Sequence, residues 1–206
     1  MDEPEAVRSA VGDDLESVVG TIALAFADDP VWSPALGPRH LRDEHRAAFW
    51  RLWIAGAMRY PWTWVVGDAA AVSVWIPPGG TDMSHEQERE LSRLAAAVLG
   101  PAADDLNETL SRFEAAHPRD EPHYYLSLLA THPEHRGRGL GMALLAQNLA
   151  RIDAESVPAY LESTNPANDK RYASVGFQPV GSFKVPYDGA IVTTMWRPAR
   201  TYPPAD

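Results

Sequence analysis

The sequence predicts a single α/β domain spanning residues 1–206, with a mixed, mostly antiparallel central sheet flanked by helices and a helical insert over about 84–117. Three observations predict it. Short runs of β-branched and aromatic residues alternate with stretches of helical period, a pattern of intermixed layers rather than of a bundle or a sandwich. Hairpin patterns stand at 63–76 and at 177–197, so neighbouring strands there should run antiparallel. The chain has 206 residues, 45% of them hydrophobic and 22% charged, enough for one well-buried core and too little for two independent folds.

The elements follow in order. Residues 5–9 read as a short strand, and Val11-Gly12-Asp13-Asp14 supplies an Asp to cap the next helix. Leu15, Val18, Val19, Ile22 and Phe26 fall at i, i+3, i+4, i+7 and i+11 on one helix face. That helix should end at Asp28-Asp29-Pro30, because proline disfavours helical geometry in the residue before it. A second helix, about 40–59, carries Leu41, Phe49, Trp50, Leu52, Trp53 and Met58. Thr63–Val66 and Ala71–Ile76 form a hairpin around Gly67-Asp68, stopped by Pro77-Pro78-Gly79-Gly80. Residues 84–116 are helical, broken at Gly100-Pro101 and closed at His117-Pro118. A strong apolar strand, Tyr124–Thr131, is followed by a helix over 139–154, a strand over 159–162 and a helix over about 166–175. Two strands, about 177–185 and 190–197, close the chain.

Composition excludes several functions. The net charge of −10 argues against a nucleic-acid groove or an anionic membrane surface as partner, since both need clustered positive charge. The absence of cysteine excludes a disulfide framework, a thiolate metal site and a cysteine nucleophile. The acidic start lacks the basic and apolar regions of a signal peptide, and no apolar run reaches the ~18 residues of a membrane span, so a cytoplasmic location is expected. His117, His123, His132 and His135 have no further ligand at metal-binding spacing, so no metal is expected.

The most informative stretch is His132-Pro133-Glu134-His135-Arg136-Gly137-Arg138-Gly139-Leu140-Gly141-Met142, between a strand and a helix. Alternate glycines allow backbone conformations that side chains forbid and let a ligand approach closely. The helix start adds unpaired N–H groups and a positive dipole end, a site for phosphate or pyrophosphate. Arg136 and Arg138 add positive charge. The stretch is not the G-x-G-x-x-G of a dinucleotide turn, and it lacks the Gly-Lys-Ser/Thr of an NTPase loop.

The R-x-x-G-x-G order that remains resembles the acyl-CoA-binding motif of the GCN5-related N-acetyltransferases (GNAT). Asn168, Tyr172, Gly176 and Phe177, within NDKRYASVGF, are similar to that family's closing Asn and Tyr-x-x-x-Gly-Phe. AFADDP, VWIPP, EPHYYLSLLATHPEHRGRGLG and VPAYLES are similar to its puromycin N-acetyltransferase-like branch. The resemblance covers residues 5–198, with its specific motifs in 124–177, and implies a GNAT-like fold with an acyl-CoA-binding core at about 122–198.

It further implies acetyl-CoA as co-substrate, with the backbone of Leu129, Ala130 and Thr131 pairing with the pantetheine arm like an added strand. A bulge in that strand would aim one N–H, that of Leu129, at the thioester oxygen. N–H groups of Arg136, Gly137, Arg138, Gly139, Leu140, Gly141 and Met142 would hold the pyrophosphate, and Asn168 the pantetheine or the closing helix. Tyr172 would protonate the leaving thiolate, against the alternative of a tyrosine merely packed on the sheet. Glu162 is the candidate base; a water chain is the alternative, as is a strand-end carboxylate bonded to a loop amide. Phe26, Asp29, Trp32, Trp75 and Tyr124 are the candidate acceptor wall, suited to a cationic, partly apolar amine.

The resulting expectation is acetyl transfer to the primary amine of a small molecule, an antibiotic or a nucleoside-like amine among them, which would bring antibiotic resistance. A peptide or protein amino group is the second reading, and a non-catalytic acyl-CoA-binding regulator the third. A homodimer is compatible with the sequence.

Overall fold

The computed structural model of the chain describes residues 6–37 and 43–200. The expected residue 5 of the first strand and the start of the second helix at 40–42, Leu41 included, lie outside the described residues.

Strands β1 (Val7–Ser9), β2 (Thr63–Val66), β3 (Ala71–Ile76), β4 (Tyr124–Thr131), β5 (Ala159–Ser163), β6 (Gln178–Lys184) and β7 (Ile191–Arg197) form one sheet in the order β1-β2-β3-β4-β5-β7-β6. Every pair is antiparallel except β4–β5. That parallel pair follows from the crossover helix α6 (Leu140–Ala154) between the two strands, which returns the chain to the same end of the sheet.

Helices α1 (Leu15–Ala25), α2 (Trp32–Ala35), α3 (Asp43–Ala57), α4 (His85–Leu99) and α5 (Ala103–Ala116) contribute buried residues to one face of the sheet, with Val72, Val74, Leu128 and Ala130 beneath them. Helix α6 covers the other face with Leu145, Leu149 and Ile152 against Trp75, Leu126, Leu161 and Met195. The insert starts on Ser84, whose Oγ accepts from the Gln87 N–H at 3.3 Å while Gln87 Oε1 accepts from the Ser84 N–H at 3.0 Å. As expected, it breaks at Gly100, where φ is +56°.

Two differences from the sequence reading matter for the site. Helix α1 stops at Ala25, and Asp29 Oδ1 accepts the N–H groups of Val31 (2.9 Å) and Trp32 (3.0 Å), starting the four-residue α2. A helix that short, with Pro34 inside, leaves no periodic signal. The second is Trp75, expected in the acceptor wall, which lies in a strand, β3, that is buried on both faces.

Strand β4 carries the feature on which the site depends. Val74 pairs with Leu128 and Trp75 with Leu126, so Ser127 is an extra residue, a β-bulge. It reverses the alternation: Leu126 packs under α6, while Leu128 packs under α1–α5. Pairing with β5 ends at Leu126–Leu161, so the two parallel strands part beyond that point.

Candidate active site

Where β4 and β5 part, a narrow cleft of about 50 Å³ opens. Leu129 lines it from β4, Glu162 from β5, and Asn168 and Tyr172 from the closing segment. Phe26, Asp29 and Trp32 line it from the α1–α2 connection. Every catalytic candidate and three of the five acceptor candidates therefore meet at one place.

Helix α7 (Asp169–Ser174) holds Tyr172. The Asp169 carboxylate accepts from Ser163 Oγ at 2.6 Å and Thr193 Oγ1 at 3.3 Å, tying the helix to β5 and β7. The Tyr172 ring packs edge-on against Phe177 at 6.3 Å. Burial, with the nearby Asp29 and Asp169 charges, pushes the phenol up to about 12, so it holds its proton at neutral pH. Asn168 Oδ1 accepts from Arg171 Nη1 at 3.1 Å. Beyond α7, the chain is locked by Arg197, whose Nε donates to the Val175 carbonyl at 3.0 Å and whose fork meets Asp153 at 2.6 and 2.8 Å.

The glycine-rich turn behaves as its composition suggests. Gly137 and Gly139 have φ of +79° and +77°, and a Cβ at either would meet no atom within 4 Å, which leaves space beside the backbone. Gly141 is different: a Cβ there would lie 2.7 Å from Thr131 Oγ1, so it serves the close packing of α6 on β4. Leu140, Gly141 and Met142 open α6, where the first N–H groups have no intrahelical partner. Arg136 Nη2 donates to the Ala25 carbonyl at 3.2 Å, and Arg138 Nη1 lies 2.9 Å from His135 Nδ1. Beyond the β4–β5 pairing, the edge of β4 through Leu129, Ala130 and Thr131 has no strand on that side among the described residues. An open strand edge leading to a helix N-terminus fits an extended arm ending in a pyrophosphate, as acetyl-CoA has.

Trp75 and Tyr124 are not brought to the cleft. Trp75 is fully buried under α6, where its Nε1–H donates to Asn148 Oδ1 at 3.1 Å. Tyr124 is also buried, and its hydroxyl donates to Glu155 at 2.8 Å. Both lie on the α6 face of the sheet, opposite Glu162. Asp29 reaches the cleft with both oxygens engaged, since Oδ2 accepts from Thr164 Oγ1 at 2.7 Å.

A second, wider groove of about 800 Å³ lies between the insert and the loop after β3. It shares Trp53, Phe113, Tyr125 and Glu162 with the cleft, so the two meet at Glu162. The Glu162 side chain is 1% exposed, and neither carboxylate oxygen has a hydrogen-bond partner. Asp82, absent from the sequence-based candidates, accepts from Trp53 Nε1 at 2.9 Å and from Ser127 Oγ at 2.5 Å. Burial raises its carboxyl above the usual carboxylate range despite those bonds, and the Glu162 charge adds to this. The groove is also lined by Glu88, Glu114, Asp120 and Glu121, against one arginine, Arg119, which is paired with Glu114.

Residues 102–179 match the model of the acetyltransferase (GNAT) domain. Over nearly its whole length the chain resembles several solved structures. One is the histone acetyltransferase HPA2 and related acetyltransferase of Corynebacterium glutamicum, at 24% identity and TM-score 0.66, covering 98% of this chain and 100% of that one. Another is arylalkylamine N-acetyltransferase 2 of Aedes aegypti, at 14% identity and TM-score 0.66, covering 94% and 98%. A third is a polyamine N-acetyltransferase of Drosophila melanogaster, at 16% identity and TM-score 0.62, covering 94% and 99%. The domain match and these likenesses together show a GNAT-like fold, a seven-stranded, mostly antiparallel sheet flanked by helices. Among the described residues, no helix is long and apolar enough to cross a membrane.

Proposed function

We propose that the chain transfers the acetyl group of acetyl-CoA to the primary amine of a small cationic molecule. The observation that carries this reading is the meeting of cleft and groove at Glu162. A donor lying along β4 and an acceptor lying in the groove would reach the same point from opposite sides, with no covalent enzyme intermediate needed.

Acetyl-CoA supplies an activated acyl thioester. The N–H groups at the start of α6 and of the Gly137–Gly139 turn hold its pyrophosphate, and the free edge of β4 holds the pantetheine. The bulge at Ser127 lies two residues before Leu129, whose backbone N–H would stabilise the negative charge that develops on the thioester oxygen. Glu162 takes a proton from the incoming ammonium, and the amine attacks the carbonyl carbon. Tyr172 gives its proton to the departing sulfur and regains one from the new amide nitrogen, a role suited to a phenol that is still protonated at neutral pH.

The groove supports an acceptor with more than one positive charge. Its carboxylates outnumber its single, already paired arginine, and its volume lies in the range of ligand pockets. Resemblance to a polyamine enzyme that forms N-acetylagmatine points the same way. The puromycin-like motifs make an aminonucleoside the comparison acceptor. Replacing Tyr172 with Phe tests the mechanism: kcat should fall at least tenfold while acetyl-CoA affinity stays near wild type. Unchanged kcat would remove Tyr172 from the reaction.

A further inference from the structure

At the inner end of the groove, two side chains outside the transfer steps, His123 and His117, stand in a row with Glu162. His123 Nδ1 lies 2.7 Å from the Glu121 carbonyl oxygen. A carbonyl only accepts, so Nδ1 carries the hydrogen. Burial lowers the proton affinity of this ring, which keeps it neutral and leaves Nε2 a lone pair. That lone pair lies 3.1 Å from His117 Nε2, which must therefore be the donor of this bond. In a neutral His117, Nδ1 is then also a lone pair, and it faces Glu162 Oε1 at 3.7 Å. Two acceptors face each other, and only a proton between them makes the contact favourable.

Other groups also face the pair. The Tyr160 and Tyr125 hydroxyls also face Glu162 as hydrogen-bonding phenols, and that of Tyr160 lies 3.3 Å from the Ala116 carbonyl oxygen as well. Tyr125 packs edge-on against His117 at 4.9 Å, and burial together with the Glu162 and Asp82 charges keeps it a phenol. Asp82 is engaged by Ser127 and Trp53, and Trp196 closes over His123 with ring centres 5.2 Å apart. His117 itself is 23% exposed in its side chain, enough to reach solvent in the groove.

We propose that Glu162 and His117 act as a one-proton pair that carries the amine's proton away, with His123 as the positioning residue that fixes the His117 tautomer. This rests on Glu162 being the base of the transfer. The Glu162 carboxylate takes a proton from the substrate ammonium, giving the free amine and a carboxylic acid. The acid passes that proton to His117 Nδ1, giving an imidazolium beside a restored carboxylate, and the imidazolium releases it to water in the groove. Glu162 is thus returned to its basic form without being opened to solvent. The 3.7 Å separation is longer than a hydrogen bond, as such contacts often are before substrate closes the site.

Two measurements test the pair. Nitrogen-15 NMR of the histidines in the ligand-free chain should show neutral His123 as the Nδ1–H tautomer and neutral His117 as the Nε2–H tautomer. A neutral His117 carrying its hydrogen on Nδ1 would overturn the proposal without any acceptor being known. The second is kcat/KM against pH with agmatine as acceptor. His117→Gln should lower the rate at least tenfold, with acetyl-CoA affinity unchanged, and should give a pH profile of different shape from the wild type. His117→Ala should recover rate in proportion to added neutral imidazole. A His117→Gln profile parallel to wild type, or no rescue by imidazole, would reduce His117 to packing and overturn the relay. Glu162→Gln, run alongside, separates the two readings: its inactivity beside a parallel His117→Gln profile sinks the relay alone, while its full activity sinks the base and the pair together. If agmatine is not turned over, the tautomer measurement decides the pair by itself.

Discussion

Arg197 ties three parts of the site's support together, and removing it gives the largest single effect the structure predicts. Its fork meets Asp153 of α6 in a two-pronged ion pair at 2.6 and 2.8 Å, and Nε holds the Val175 carbonyl just past α7. The two side chains are 3% and 6% exposed, so Arg197→Met would leave a carboxylate buried without its partner. Breaking such a pair costs about 3–5 kcal/mol, far more than a surface pair. For a chain of this size that is a fall in Tm of roughly 6–20 °C. Removing both charges in Arg197→Met with Asp153→Leu should restore most of the loss, since well-packed apolar replacements of buried pairs are often neutral. Denaturant unfolding of the two single variants and the double variant gives the coupling, expected to be at least ~2 kcal/mol. The single variant should also lower kcat, because the end of α7 that carries Tyr172 loses its anchor. An Arg197→Met cost below about 1 kcal/mol would refute a buried, mutually dependent pair.

Three further outcomes follow from the same geometry. Gly139→Val forces a branched side chain to φ near +77° at the entrance of α6, so acetyl-CoA binding should be lost while the sheet still folds; retained binding in a titration would refute the turn's assignment. The proton affinity of His123 is lowered by burial, so the unfolded chain takes up this proton first; the stability it contributes is present above about pH 6.5 and lost as pH falls, which Tm between pH 7.5 and 5.5 would show and His123→Gln should flatten. Asp82 has the opposite sign, because burial raises its carboxyl and charging it costs stability as pH rises. Asp82→Asn keeps an acceptor for Trp53 and Ser127, so its Tm should exceed wild type at pH 7, with the gain shrinking toward pH 4, while KM for a cationic amine rises severalfold.

Much of this architecture was legible in the sequence, for identifiable reasons. Hairpins, the Gly100-Pro101 break and the glycine turn are local signals, and each stands where the sequence places it. Leu129, Glu162, Asn168 and Tyr172 meet in one cleft because the β4–β5 crossover brings their segments together. The wall residues were harder. Strand β3 is buried on both faces, so its sequence shows no alternation to tell which way Trp75 points. Tyr124 begins a strand whose polar end is taken by Glu155, thirty-one positions away. Of the groove residues, Asp82 comes from the loop after β3 and His117 and His123 from the two ends of the α5–β4 loop, and nothing in their spacing announces that they converge on Glu162; His117-Pro118 reads only as a helix end.

The central claim is acetyl transfer to a cationic amine, and release of thiol from acetyl-CoA tests it most directly. The chain has no cysteine, so a colorimetric thiol readout carries no background from the protein. Agmatine and a diamine should stimulate release well above a monoamine of equal length, with puromycin and a basic peptide as comparison acceptors. Acetyl-CoA that binds without release by any of these amines, or that does not bind at all, would contradict the account.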